Sequence, residues 1–444
     1  MRRLAAIACL SPGAAHACAL PASVILTLPT GHYIAGAAAT VAITAIIAAV
    51  VPRLPATPAV TLWERPVLLP ETLTSTLSFL LWVVLIGLGF LGASDPMHNL
   101  LTLVFWTGVW VALPLASILC GNLWRVVNPW TGPVRLIRDA LGLRAKVPLD
   151  RMGHGPAVAG VLGFSWFTLV WMSPEDPGVL ATVLTLYGLA ILCLGALAGE
   201  GWLQRGEFLT VYFGYLARIS PFWLEIAGRR ARLRAGWPGM QVLELAPLTP
   251  SAIAFVTLAL AGLTFDGLHV TFWWLDLIGE NPLEFTGRSA VQGVNTVGLL
   301  AVWALTAIAI LGAIRLGANL RAGPVALSFL AIVAGYHGAH HLVTLLTTGQ
   351  YTLSALNDPL FRGDAFLGLE PFFVSFGFLT DPATMTAIWN TQFAAILGAH
   401  VLPVVLAFRL AGPGVSARAH LPLTALMVGY TVLGLRLLSS PVGA

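Results

Sequence analysis

The segment Tyr336-His337-Gly338-Ala339-His340-His341 sets three imidazoles inside an otherwise apolar run. On a helix, His337 shares a face with His340 (i, i+3) and His341 (i, i+4). Imidazoles at that spacing make up half of many metal sites. Ionisable groups at membrane depth are costly, so three together require a partner, a metal or a proton path. His400, in a later apolar run, is a further candidate ligand. Phe265-Asp266-Gly267-Leu268-His269 offers a carboxylate and an imidazole, for a metal or as a general-base pair. The same Asp-Gly step at the end of an apolar run also reads as a helix stop. Gln350, Asn357 and Asp358 follow the histidine cluster and could orient ligands, with Asp358 a second candidate base beside Asp266. The expected chemistry is a divalent metal ion, zinc or copper, activating water. The competing reading is neutral histidines acting as hydrogen-bonding glue between helices.

The elements carrying these residues are membrane spans. Of 444 residues 57% are hydrophobic and 9% charged, with mean hydropathy +0.85, where a soluble chain carries roughly a quarter charged residues. About 20 apolar residues cross a bilayer. Ten runs qualify: 33–51, 77–93, 100–119, 156–172, 178–198, 251–265, 294–315, 324–348, 385–409 and 421–438. The sixth is short and could start nearer Leu243. With alternating spans, all 23 Lys and Arg fall on one side except Arg288, Arg362 and Arg436. That asymmetry places the arginine-rich loops in the cytoplasm and both mature termini outside. The histidine cluster then lies in the outer half of its span.

Residues 1–17 read as a signal peptide: Arg2 and Arg3, an apolar Leu4–Leu10, and a small-residue zone ending Ala15-His16-Ala17. Cleavage after Ala17 discards His16, whereas cleavage after Ala15 leaves it as an N-terminal chelator. Residues 18–444 form one helical membrane domain, without repeats. Cys9, Cys18, Cys120 and Cys193 have no paired spacing that suggests a disulfide framework or a thiolate site. The segment Pro133 to Leu143 is amphipathic and suits a membrane surface. Arg229, Arg230, Arg232 and Arg234 suit lipid headgroups. No aromatics interleave with these charges as nucleic acid would require, so nucleic acid is excluded as a partner. Trp106, Trp110, Trp124, Trp130, Trp303 and Trp389 fall near predicted span ends and suggest interfacial belts. The stretch Phe372-Phe373-Val374-Ser375-Phe376 suggests a re-entrant or interfacial segment.

There is no GxSxG, P-loop, HExxH, helix-opening GxGxxG or CxxCH. The chain does resemble, along nearly its whole length and in motif order, the bacterial polytopic membrane proteins known as fenitrothion hydrolases. The resemblance is carried by Asn122-Leu123-Trp124-Arg125-Val126-Val127-Asn128-Pro129-Trp130, Phe265-Asp266-Gly267 with Trp273-Trp274, and Tyr336-His337-Gly338-Ala339-His340. Gly349-Gln350-Tyr351 to Asp358-Pro359, Ala399-His400-Val401 and the early Ala15-His16-Ala17 extend it. Asn122 stands where Asp is usual, Ala399 where Gly is usual, and His341 where an aromatic is usual. The resemblance implies hydrolysis of an apolar organophosphate triester at the membrane, with a second membrane subunit as partner, and brings no catalytic residues with it. Two alternatives stand beside it: a metal- or proton-coupled transporter or channel, and a non-catalytic metal- or haem-binding subunit of a membrane complex.

Overall fold

A computed structural model of the chain describes residues 30–50, 58–67, 69–144, 146–228, 230–284, 287–368 and 374–441. The expected signal peptide, Arg229 of the basic cluster, and Phe372 and Phe373 of the Phe-rich stretch lie outside the described residues. The fold is an all-α polytopic membrane protein, 73% helical. The long helices are α1 (Thr30–Val50), α2 (Glu71–Leu91), α3 (Leu100–Cys120), α6 (Pro177–Ala198), α8 (Pro250–Leu268), α9 (Arg288–Leu316), α10 (Ala322–Asn357), α11 (Pro382–Leu410) and α12 (Ala417–Ser439). Between them lie α4 (Thr131–Ala140), α5 (Gly155–Leu169) and α7 (Phe208–Leu216). Nine long apolar helices plus the shorter α5 match the ten expected spans. The sixth starts at Pro250, with the Thr249 hydroxyl accepting from the Ala252 N–H, so it does not reach back to Leu243. A helix of 15 residues, α5, covers only roughly 22 Å. At its end Arg288 closes the gap, donating to the carbonyls of Thr168 at 2.7 Å and Trp171 at 3.3 Å.

Helix α8 is central, with all but a few of its side chains buried, and α10 packs against α3, α7, α8 and α11. The α10–α11 contact is close because Gly335 lies against Ala399: a Cβ there would sit 2.1 Å from the Ala399 Cβ and 2.9 Å from the Ala395 carbonyl. One turn away, Gln392 donates to the Ala339 carbonyl at 2.9 Å, a polar link across the same pair.

Three expectations need adjustment. Helix α4 is anchored on the bundle along one face, while Leu136 and, just beyond the helix, Leu141 stay exposed. It packs on α2 and α6, with Val134 buried against Gly195 and Arg138 buried with its guanidinium on the carbonyls of Ala196 and Leu143. Trp124, Trp130 and Trp389 are core residues rather than interfacial belts: Trp130 meets Trp82 at 5.3 Å and Trp124 stacks on Phe213 at 4.8 Å. Trp110 is the middle residue of α3, not an end.

The basic segment is a strand. β1 (Val60–Pro66), β2 (Phe222–Ala227) and β3 (Arg230–Ala235) form an antiparallel sheet in the order β1-β3-β2, with an irregularity between Thr61 and Trp63. Glu64 accepts from Arg230 and Arg232, each at 2.9 Å, which fastens β1 to β3.

Replacing Gly335 with Ala should cost about 1–3 kcal/mol through overpacking and lower the unfolding temperature in detergent. Gly338→Ala, whose Cβ first meets Leu115 Cδ2 at 3.4 Å, should not. Equal behaviour of the two variants would refute the packing account. A second expectation concerns pH. The two guanidiniums hold the Glu64 carboxyl below its usual range. Its contribution is therefore present above the unfolded-state pKa and is lost as pH falls through the lowered folded value. Hydrogen exchange of the β1 amides should stay slow near neutrality and accelerate only in acid, and Glu64→Gln should abolish that acid step.

Candidate metal centre

Helix α3 is not regular. Residues Val104–Ala112 form a π-helical stretch, followed at once by Pro114. The Leu113 N–H still bonds five residues back, to the Gly108 carbonyl, and Pro114 brings no N–H of its own, so the ladder is interrupted in the turn that holds Trp110. His337 Nε2 lies 3.0 Å from the Trp110 carbonyl. A carbonyl only accepts, so Nε2 carries the proton and Nδ1 is the acceptor. Tyr212 Oη, 3.0 Å away, donates to Nδ1. Both nitrogens of His337 are thus used, in a setting of stacked aromatics: Trp110 lies over Tyr212 at 5.2 Å. The sequence expectation of His337 as a ligand is corrected accordingly, because ligation would require breaking the Tyr212 bond.

Tyr212 arrives on α7, an element that the sequence reading took for part of a long arginine-rich loop. This half-helix starts at depth. Glu207, fully buried at its N-cap, accepts from the N–H groups of Leu209 and Thr210, from the Thr210 hydroxyl, and from Tyr187, halfway along α6. Its far end returns to the arginine-rich side, where Tyr215 Oη lies 3.4 Å from His154 Nε2. Thr210 also accepts from Trp124 Nε1 at 3.0 Å and Asn128 Nδ2 at 3.1 Å. Asn128 in turn accepts from the Trp130 N–H at 2.8 Å. The Trp-Arg-Val-Val-Asn-Pro-Trp segment is therefore an anchor for α7. The signal for α7 was present in the uncharged aromatic run Phe208–Leu216, but nine residues fall below any span-length window.

His340 turns the other way, towards α8. Its Nε2 is 3.0 Å from Asp266 Oδ2, joining two motifs whose distance the sequence could not supply. Helix α8 runs through Gly267 to Leu268, so the stop reading fails by two residues. Gly267 admits the Tyr336 hydroxyl, which would stand 2.5 Å from a Cβ. The Tyr336 ring in turn stacks on His340 at 5.9 Å. His341 lies between the other two rings, 4.5 Å from His337 and 5.0 Å from His340 between centroids, and its buried Nε2 has no hydrogen-bond partner among the described residues.

Donor atoms of Asp266, His340 and His341 all lie within 4.8 Å of one another. Ligands of a tetrahedral zinc at about 2.0–2.2 Å stand roughly 3.4 Å apart, so closing around an ion asks for small side-chain rotations. The unpartnered His341 nitrogen and the two-imidazole, one-carboxylate set fit a divalent ion with an open coordination position. Asp266 and His340 are 24% and 27% exposed, so the cluster is open on one side.

The other sequence candidates fall elsewhere. His400 donates Nδ1–H to its own helix at the Ile396 carbonyl, 2.8 Å, and its Nε2 is buried without a partner beside Tyr430, outside the three-residue cluster. Asp358 caps the end of α10, roughly 27 Å along the helix from His340 at 1.5 Å per residue. Its carboxylate accepts from the Arg362 and Gly363 N–H groups at 2.9 and 2.7 Å, so it organises a loop and is no base for this site. Gln350 and Asn357 pair with backbone of the same loop, at Ser375 and Leu367. His269 donates to the carbonyls of Phe265 and Asp266 at 3.0 Å and does not form a general-base pair with the Asp266 carboxylate. Cys120 and Cys193 are free and exposed.

No protein-family model, curated protein or solved structure matches this chain. Its architecture and donor cluster define a polytopic membrane protein with a candidate intramembrane metal centre.

Thr210→Val leaves Trp124 Nε1 and Asn128 Nδ2 buried without an acceptor and should destabilise by about 2 kcal/mol or more. Tyr212→Phe removes one neutral hydrogen bond and should cost about 1 kcal/mol. Thermal unfolding in detergent reads both, and a Thr210→Val protein as stable as wild type would show that α7 is held by something else.

Proposed function

We propose that the chain is a membrane-embedded, metal-dependent hydrolase acting on apolar organophosphate triesters, with Asp266, His340 and His341 as ligands. The observation that carries this reading is the convergence of those three donors, with the His341 nitrogen left bare, on the open side of a buried helix bundle. Asp266 is then a ligand rather than the free base expected from sequence. A divalent ion held by these three side chains would supply a water made nucleophilic at neutral pH. In hydrolysis the water oxygen would bond to phosphorus, the bond from phosphorus to the aryl or alkyl oxygen would break, and that oxygen would leave with the proton the water gives up. A lipid-soluble triester concentrates in the bilayer, which suits a site at this depth. The arginine asymmetry supports both mature termini outside, and the resemblance to fenitrothion hydrolases supports a bacterial cytoplasmic (inner) membrane, the substrate class and a second membrane subunit.

A transport reading draws support from one feature, the pairing of a π-helical α3 with the half-helix α7 at His337, since broken helices commonly line translocation sites. Vesicle flux of protons or divalent ions without chemical change of any substrate would favour it over hydrolysis.

Elemental analysis of the purified protein should find close to one divalent metal per chain. The variant His340→Ala with His341→Ala should lose it at least tenfold, together with release of the aryl alcohol from a dialkyl aryl phosphate. His98→Gln, on an exposed turn with Asp95, should keep both. Full metal content in the double variant would overturn the assignment of the centre. Metal present with no turnover of any triester would overturn the hydrolase.

A further inference from the structure

The three-stranded sheet is amphipathic in an unusual sense: its charged face is paired and its apolar face is bare. Strand alternation and the pairing register put Val60, Trp63, Phe222, Leu224, Ile226 and Leu233 on one face. The other carries Glu64, Glu225, Arg230, Arg232 and Arg234, where Arg230 and Arg232 meet Glu64, and Arg234 meets Glu225 at 3.0 Å. The sheet abuts the bundle through Trp223, on the charged side, which packs at Gly121 and Gly236 at the arginine-rich end of α3. The apolar side therefore points away from the bundle: Val60 is 60%, Phe222 43% and Trp63 39% exposed, as is Leu62 at 52% where the register shifts. Contiguous apolar patches of this kind mark a membrane or protein contact.

We infer that this face lies in the headgroup–acyl boundary of the protein's own bilayer, held by anionic lipid. Continuity argues for lipid: Leu119, 62% exposed on the lipid-facing surface of α3, precedes Gly121, on which the sheet rests. Charge argues for the same occupant. Arg65, Arg230, Arg232 and Arg234 outnumber Glu64 and Glu225, so the sheet keeps a net positive charge after its pairs are made. Arg65 lies over the Trp63 ring, 5.9 Å from its centroid, the aromatic–cation combination typical of a bilayer interface. The register puts Arg65 on the apolar face, level with Ala231 and Ile226, so a phosphate-bearing headgroup reaches its guanidinium while Val60, Leu62 and Phe222 enter the acyl boundary. The inference is independent of the metal centre.

The test uses full-length protein with its four cysteines replaced by serine and one new cysteine, Leu62→Cys or Leu224→Cys, carrying an environment-sensitive fluorophore. In vesicles of phosphatidylcholine with phosphatidylglycerol, shallow nitroxide lipids should quench both probes several-fold more than a probe at Arg362→Cys, on an exposed loop at the far end of α10. Quenching should weaken without phosphatidylglycerol, and Arg65→Glu should remove that lipid dependence. Probes quenched by aqueous iodide as strongly as the Arg362→Cys control would overturn the inference. Protection seen in native membranes but not in purified vesicles would overturn it in favour of a protein partner.

Discussion

The carbonyl of Trp110 is the group on which the interior depends. The hydrocarbon core holds no water to satisfy it, and it lies where the π-helical run of α3 gives way at Pro114, which brings no N–H. His337 supplies the missing N–H, which commits its other nitrogen to accepting, and only Tyr212 is placed to donate. Tyr212 must therefore be held at depth, and that requires a half-helix whose own free N–H groups are satisfied away from water. Glu207 meets that need at one end, and Thr210, braced by Trp124 and Asn128, fixes the helix in place. One missing hydrogen in α3 thus organises α7, α10 and the 124–130 segment together.

The same accounting separates structural from chemical histidines. His337 has no free nitrogen, His400 and His269 donate into their own helices, and His340 is turned to a carboxylate. His341 is the exception among the three clustered rings, with a buried nitrogen that nothing in the described residues engages. An orphaned buried ring nitrogen is costly unless a ligand relieves it, and its neighbours are those a divalent ion would choose. The close approach of α10 to α11 at Gly335 and of Tyr336 to α8 at Gly267 leaves the cluster little room to rearrange.

Spans were legible because bilayer thickness imposes a length and an apolar composition that a window can count, and all ten expected runs correspond to helices. His340, His341 and Asp266 were legible as candidates because charged or titratable groups in such runs are rare. What failed were inferences drawn from aromatic texture. Trp124 and Trp130 look interfacial by composition yet are buried, because α2, α6 and α7 cover them, and neighbours are not written in a local segment. Asp358 looked like a base from its place after the histidines; a continuous helix carries it far from them. The half-helix bearing Tyr212 was invisible for a physical reason: a re-entrant element is sheltered by protein, so it obeys no bilayer length.

From the sequence alone come the membrane class, the span count, the arginine asymmetry and the short roster of polar groups at depth, all set by local composition against the cost of burying charge. Which of those groups face one another was decided only by tertiary packing. Hydrogen bonding and coordination act over about 3 Å, and distances of that size between α3, α7, α8 and α10 exist only once the helices have docked.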